Sequence, residues 1–381
     1  MTIPTTMRSL VISLVLVAAA CSSPTGETTL LQSPGSVSTG STSSTATTPS
    51  QPPAQPAVNG PLLGFTPFPS APTTEAVVQA FEIATSNGSL FANHFDRGIP
   101  WETLLSGEPL PEAFAAELGA RRAESRGQVI YVATAITNFE RDDIPDGLDG
   151  APRPSSLDGA GPASPEVERA LKAWVDLLVA ELDPDYLNVG VEIDLAVAKR
   201  PELANDLMGL YRSLYEYTKD TYPNIVVFAS FQAEIGDPSV VAALADATDL
   251  IAISTYPYFD GEASVPDADY LDRFFDLGVD VAIAETGFPA GSANTPVGEV
   301  TSSPEQQDAY MRWLLDQACA QNMAFVVWFL PGDIDTAAWG YTPDQKAIAG
   351  IFATNGLHDT GGTAYPSFDR WTAAVDAGCP G

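Results

Sequence analysis

From residue 61 onward the chain alternates short apolar runs with longer segments in which apolar residues recur every three or four positions. The runs are Leu62–Phe65, Leu90–Phe95, Val129–Ala133, Leu187–Val191, Ile225–Ala229, Leu250–Tyr256, Val281–Ala284 and Ala324–Phe329. They are nearly continuous, not alternating, as expected of parallel strands covered on both faces. After Pro165 the set Val167, Leu171, Trp174, Leu178 and Leu182 keeps helical spacing, and Leu203, Leu207, Leu210, Tyr211 and Leu214 repeat it, so each helix has one face to dock on a sheet. Ser164-Pro165 and Ser303-Pro304 each place a capping hydroxyl before a proline at the first helical position, and Gln306 completes a capping box with Ser303. Eight such strand and helix units predict a single (β/α)8 TIM barrel over residues 61–381. A doubly wound sheet is the alternative, weakened because no glycine-rich dinucleotide or P-loop turn follows any strand.

The front of the chain is different. Arg8 precedes the apolar run Leu10–Ala20, too short to span a bilayer stably, and residues 1–20 are predicted to be a signal peptide. Val17-Ala18-Ala19-Ala20-Cys21 resembles the lipobox of bacterial lipoproteins, which implies that the leader is removed and Cys21 is lipidated. The rest of the 21–60 segment is rich in Ser, Thr and Pro, with Glu27 its one charge, and is expected to be a disordered linker. The expected location is extracytoplasmic, with the lipid anchor the only tie to a bacterial cell membrane. Cys319 and Cys379 form a late pair that invites a disulfide outside the cytoplasm, two buried thiols being the alternative.

The 381 residues carry 49 Asp plus Glu against 17 Lys plus Arg, a formal net charge of −32. Nucleic-acid binding, which needs clustered cations, is excluded as an expectation. No His or Cys spacing supports a metal, so no metal or other cofactor is expected. The long Gly, Pro and Asp loop from 142 to 163 is expected to rim a cleft; its aspartates lack the spacing of an EF-hand calcium loop. A monomer is expected.

In a barrel, functional residues stand at strand C-termini and in the loops after them. The fourth run leads into Glu192 within Val189-Gly190-Val191-Glu192-Ile193-Asp194, and the seventh into Glu285 within Ala284-Glu285-Thr286-Gly287-Phe288-Pro289. A carboxylate beside apolar strands is costly unless paired or functional, and the strands supply almost no basic partner, which favours function. Two carboxylates about 5 Å apart suit retaining glycoside hydrolysis, one attacking the anomeric carbon while the other protonates the leaving oxygen and later activates water. Serine-hydrolase chemistry fares badly because no G-x-S-x-G elbow exists.

Carboxylates after strands four and seven resemble the clan A glycoside hydrolases. The segment Ala284–Pro289 is similar to the nucleophile segment of family 53 endo-β-1,4-galactanases and family 17 endo-β-1,3-glucanases. The resemblance runs over residues 61 to 376 and implies Glu285 as nucleophile and Glu192 as acid/base. It also implies Tyr256 as a hydrogen-bond partner of the nucleophile and Trp328 as a sugar-stacking tryptophan. One departure stands out: Val191 occupies the position where those families carry an asparagine that binds the substrate 2-hydroxyl, which implies a slower enzyme, a substitute donor or no enzyme.

Further substrate-binding candidates are His94 and Asp96, which alternate with Phe95 and so point to one side, His94 toward a sugar hydroxyl or the acid/base carboxylate. Trp101 is read as a stacking platform or as simple packing, and Asn138, Asp194, Gln232 and Asp333 as polar groups at strand ends. The expected function is extracytoplasmic retaining hydrolysis of a β-linked poly- or oligosaccharide. The alternative is a carbohydrate-binding lipoprotein of weak or absent catalysis.

Overall fold

The computed structural model of the protein describes residues 60–379 apart from 96 and 296. The predicted leader, the lipidation site Cys21, the linker through residue 59 and the candidate Asp96 lie outside the described residues.

The strands are β1 (Leu62–Phe65), β2 (Leu90–Phe95), β3 (Val129–Thr134), β4 (Tyr186–Gly190), β5 (Val226–Gln232), β6 (Leu250–Thr255), β7 (Asp280–Thr286), β8 (Ser292–Thr295), β9 (Gly298–Thr301) and β10 (Phe325–Trp328). Strands β1 to β7 and β10 pair in sequence order and close into an eight-stranded parallel barrel, as the apolar runs predicted, while β8 and β9 form a separate antiparallel hairpin after β7. Alternate residues divide each barrel strand between two cores. The inward set includes Leu90, Ala92, Ala133, Ala252, Ala282 and Val327. Small residues there leave room for Tyr131, Phe228 and Phe325, whose ring centroids stand 5.4–5.9 Å apart. Val191 belongs to the same cluster and is 4% exposed, so it packs with the barrel interior.

The helices are α1 (Thr74–Ser86), α2 (Trp101–Ser106), α3 (Glu112–Glu124), α4 (Pro165–Leu182), α5 (Ile193–Lys199), α6 (Ala204–Thr221), α7 (Pro238–Leu244), α8 (Pro304–Ala320), α9 (Pro343–Phe352) and α10 (Pro366–Ala377). All five apolar residues predicted to face the sheet from α4 are buried. Two expected caps differ. Ser164 accepts from the Gly161 N–H at 2.9 Å and makes no cap to α4. Ser303 does cap α8, but the Gln306 amide donates to the Ala263 carbonyl at 3.0 Å instead of closing a box. The β6 to β7 connection holds only 3-10 turns at Pro257–Asp260 and Asp272–Phe274, because Gly261 and Pro266 interrupt any helical run. The strand and helix units are therefore not uniform.

Cys319 and Cys379 are bonded, joining the end of α8 to the chain beyond α10. Among the described residues no helix is long and apolar enough to cross a membrane.

Candidate active site

Both strands that lead to the candidate carboxylates are irregular just before them. On β4, Asn188 pairs with Phe228 and Gly190 with Ala229, so Val189 is an extra residue; on β7, Ile283 pairs with Ile253 and Glu285 with Ser254, so Ala284 is extra. Such bulges re-aim the side chains that follow them. After the β4 bulge Glu192 adopts a left-handed backbone (φ 48°), a conformation that costs a non-glycine residue free energy and persists only where surroundings fix it. Those surroundings are visible: its N–H donates to Ser230 Oγ at 3.0 Å, and its carboxylate accepts from Ser254 Oγ at 2.8 Å and from Arg141 at 3.3 Å.

Glu192 and Glu285 line one cleft at the C-terminal end of the barrel, where active sites of this architecture stand. His94, Tyr256 and Gln232 line it too, together with Arg141, Lys199 and the aromatic rings of Phe139, Phe259, Phe329 and Phe352. Apolar walls and converging polar groups suit a ring that is apolar on its faces and hydroxylated at its rim. The Tyr256 hydroxyl donates to Glu285, and His94 Nδ1 lies 3.6 Å from the other carboxylate oxygen. Burial first, and then the charge of Glu285, push the Tyr256 phenol well above its ordinary range, so it remains a donor. His94 thus faces Glu285, where the sequence placed it on a sugar hydroxyl or the acid/base carboxylate.

Arg141 is a correction of principle. The strands are indeed poor in cations, but the loop after β3 sends this arginine, 4% exposed, onto Glu192. Lys199, at the end of α5, reaches the Glu140 carbonyl, and burial followed by the charge of Arg141 lowers its affinity for its proton.

Several polar candidates serve other atoms. Asp194 is buried beside the cleft, its carboxylate accepting from the Gln232 N–H at 2.9 and 3.0 Å, and desolvation raises its pKa well above the ordinary carboxylate value. Asn138 accepts from the N–H groups of Asp142 and Asp143 at 3.0 and 3.2 Å and so shapes its own loop. Asp333 accepts from the Gly356 N–H at 2.9 Å and from the Tyr365 hydroxyl at 2.8 Å, and burial pushes its carboxyl up to about 7.

The two tryptophan candidates are packed away from the cleft. Trp101 is 2% exposed and donates to the Pro145 carbonyl at 3.0 Å; Trp328 is fully buried and donates to the Asn355 carbonyl at 2.8 Å. Neither presents a face for stacking. An indole reads the same in a sequence whether it fills a core or lines a cleft.

Three site groups escaped the sequence. Arg141 sits in a loop without periodicity, Ser254 hides inside an apolar run, and Glu234 follows Gln232 in the turn after β5. For Arg141 and Glu234 the placement rule for barrel loops was the available signal.

No protein-family model matches the chain, and no curated protein matches it in sequence. Solved structures do match in shape. An exo-β-1,4-mannosidase from Opitutaceae bacterium strain TAV5 superposes with TM-score 0.60 at 12% identity, over 84% of this chain and 60% of that one, so the chain spans less than two thirds of that protein's length. A glutamate-to-alanine variant of a GH5_18 protein from Bifidobacterium longum, in complex with Manβ1-4GlcNAc, gives 0.60 at 14% identity over 84% of this chain and 79% of that one. Xylanase 10B from Thermotoga maritima gives 0.54 at 12% identity over 84% and 95%. The chain thus shares the eight-stranded parallel barrel of these glycoside hydrolases, the fold that the eight apolar runs predict.

Proposed function

We propose that the protein is a retaining β-glycosidase that hydrolyses a β-linked poly- or oligosaccharide outside the cytoplasm. The observation that carries this reading is the convergence of Glu192 and Glu285 on one cleft, each from a strand that bulges just before it. Glu285 attacks the anomeric carbon and forms a glycosyl ester as the glycosidic C–O bond breaks. Glu192 gives its proton to the departing oxygen, then takes one from the water that displaces Glu285. Tyr256 and His94 orient the nucleophile. Burial and the neighbouring charge of Glu285 keep the Tyr256 hydroxyl protonated, so it can stabilise the carboxylate without competing for the sugar.

The Cys319–Cys379 bond supports the extracytoplasmic location, since such bonds are rare in reducing compartments. With the leader-like segment at residues 1–20 and the Val17–Cys21 motif, it favours a lipoprotein held at the membrane through Cys21.

A second reading has an observation of its own. Arg141 engages Glu192, and Val191 supplies no polar group where a 2-hydroxyl donor would stand, which together favour a sugar-binding lipoprotein of low turnover. Reducing-end release from β-galactans, β-glucans, xylans and mannans, with Glu285→Gln run beside the wild type, separates the two. Release by the wild type alone supports the hydrolase. Saturable binding with no release favours the binding protein.

A further inference from the structure

Resting on the roles proposed for Glu192 and Glu285, we propose that Glu234 is a positioning residue that holds the two carboxylates in mutual register through Gln232 and Tyr256. A continuous polar path joins them. Glu192 opens α5, and two residues later Asp194 binds the backbone N–H of Gln232. This approach is possible because residue 236 is glycine; a Cβ there would lie 1.8 Å from the Asp194 carboxylate. The Gln232 side chain then turns to its neighbour: its carbonyl oxygen accepts from the N–H groups of Glu234 and Ile235 at 2.8 and 2.7 Å, and its amide donates to Glu234 Oε2.

The other oxygen of Glu234 collects the end of β6. It accepts from Thr255 Oγ1 at 2.7 Å, from the Tyr256 N–H at 3.0 Å and from the Tyr270 hydroxyl. Tyr256, fixed at its backbone by this contact, is the residue whose phenol donates to Glu285. Tyr270 belongs to the connection that lacks an α-helix, so Glu234 also ties down the least regular segment beside the cleft. Desolvation raises the Glu234 pKa although all four donors lower it, a burial cost that a purely solvent-facing turn would not carry. Replacing the carboxylate by an amide weakens the bonds that converge on it and turns a donor toward the Gln232 amide, and the effect reaches both carboxylates through Gln232 and Tyr256.

The test is a double-mutant cycle of Glu234→Gln and Tyr256→Phe, with kcat and KM measured on a substrate that the wild type cleaves and folding followed by thermal melting. Glu234→Gln is expected to lower kcat about tenfold with KM within about twofold of wild type, and to lower it less once Tyr256 is Phe, the remainder passing to Glu192 through Gln232. Full additivity, or a rise in KM with kcat unchanged, would overturn the role. Should Glu234→Gln not fold, Glu234→Asp, which keeps the charge and shortens its reach, is read by the same cycle. A wild type that cleaves nothing, or an active Glu285→Gln, overturns the underlying roles and this one with them; an active wild type, an inactive Glu285→Gln and an additive cycle overturn this one alone.

Discussion

Arg141 and Glu192 meet at 3.3 Å, and both sit in the left-handed backbone region, at φ 59° and 48°. Each conformation costs a non-glycine residue on the order of 1–3 kcal/mol, so the pair is held by what surrounds it. The pair is largely desolvated, although Glu192 also holds Ser254 and Arg141 also reaches the Asn138 carbonyl. Arg141→Met is therefore expected to lower unfolding free energy by roughly 1–3 kcal/mol, and Arg141→Met combined with Glu192→Gln by less than the sum of the two single changes. Denaturant titrations of the three variants check this; a double variant as weak as the sum of the singles would contradict the pairing.

Tyr256→Phe removes the hydroxyl that reaches Glu285 and keeps the ring between Phe259 and Phe352, at 5.2 and 5.0 Å between centroids. A hydrogen bond to a charged group contributes roughly 1.5–3 kcal/mol, which predicts a fall in kcat of about ten- to a hundredfold and a melting temperature lower by several degrees. An unchanged kcat would remove Tyr256 from the mechanism.

The barrel and its two carboxylates were legible for physical reasons. Parallel strands covered on both faces must be apolar throughout, and a charge at the end of such a run stands out, as Glu192 and Glu285 do. The partners of those carboxylates were not legible in the same way. Arg141 and Glu234 lie in loops, where no periodicity marks a residue, and Ser254 lies near the end of a mostly apolar strand. Trp328 went the other way, and of the two readings of Trp101 packing is the one seen, because bulk and aromaticity suit a core as well as a cleft. The β6 to β7 crossover was counted as a helical unit, although Gly261 and Pro266 break it into turns.

Asp333 gives the fold a dependence on pH. Its carboxyl titrates near 7 in the folded protein, raised by burial, against about 3.9 in an unfolded chain. Below about pH 4 both states hold the proton; between about 4 and 7 only the folded state does, so stability falls as pH rises through that window and levels off above it. The full effect is on the order of 4 kcal/mol. Asp333→Asn, which can still accept from Gly356 and bond Tyr365, should flatten this slope when urea midpoints are compared from pH 4 to 8. Parallel curves for the two proteins would show that Asp333 does not titrate there.

The Cys319–Cys379 bond spans 60 residues, and closing a loop of that length restricts the unfolded chain. Cys379→Ser is expected to cost about 2–4 kcal/mol of stability and to leave turnover at 25 °C intact, because neither cysteine lines the cleft. Differential scanning calorimetry together with a rate assay separates the two effects, and a loss of rate without a loss of stability would contradict the purely structural role.

On the proposed mechanism Glu285 and Glu192 act in two displacements on one anomeric carbon. Proton NMR of the first product formed, recorded before mutarotation on whichever β-linked substrate is cleaved, tests it most directly. The β-anomer is expected first, from wild type and not from Glu285→Gln; the α-anomer appearing first would mean a single displacement by water and would contradict Glu285 as the nucleophile.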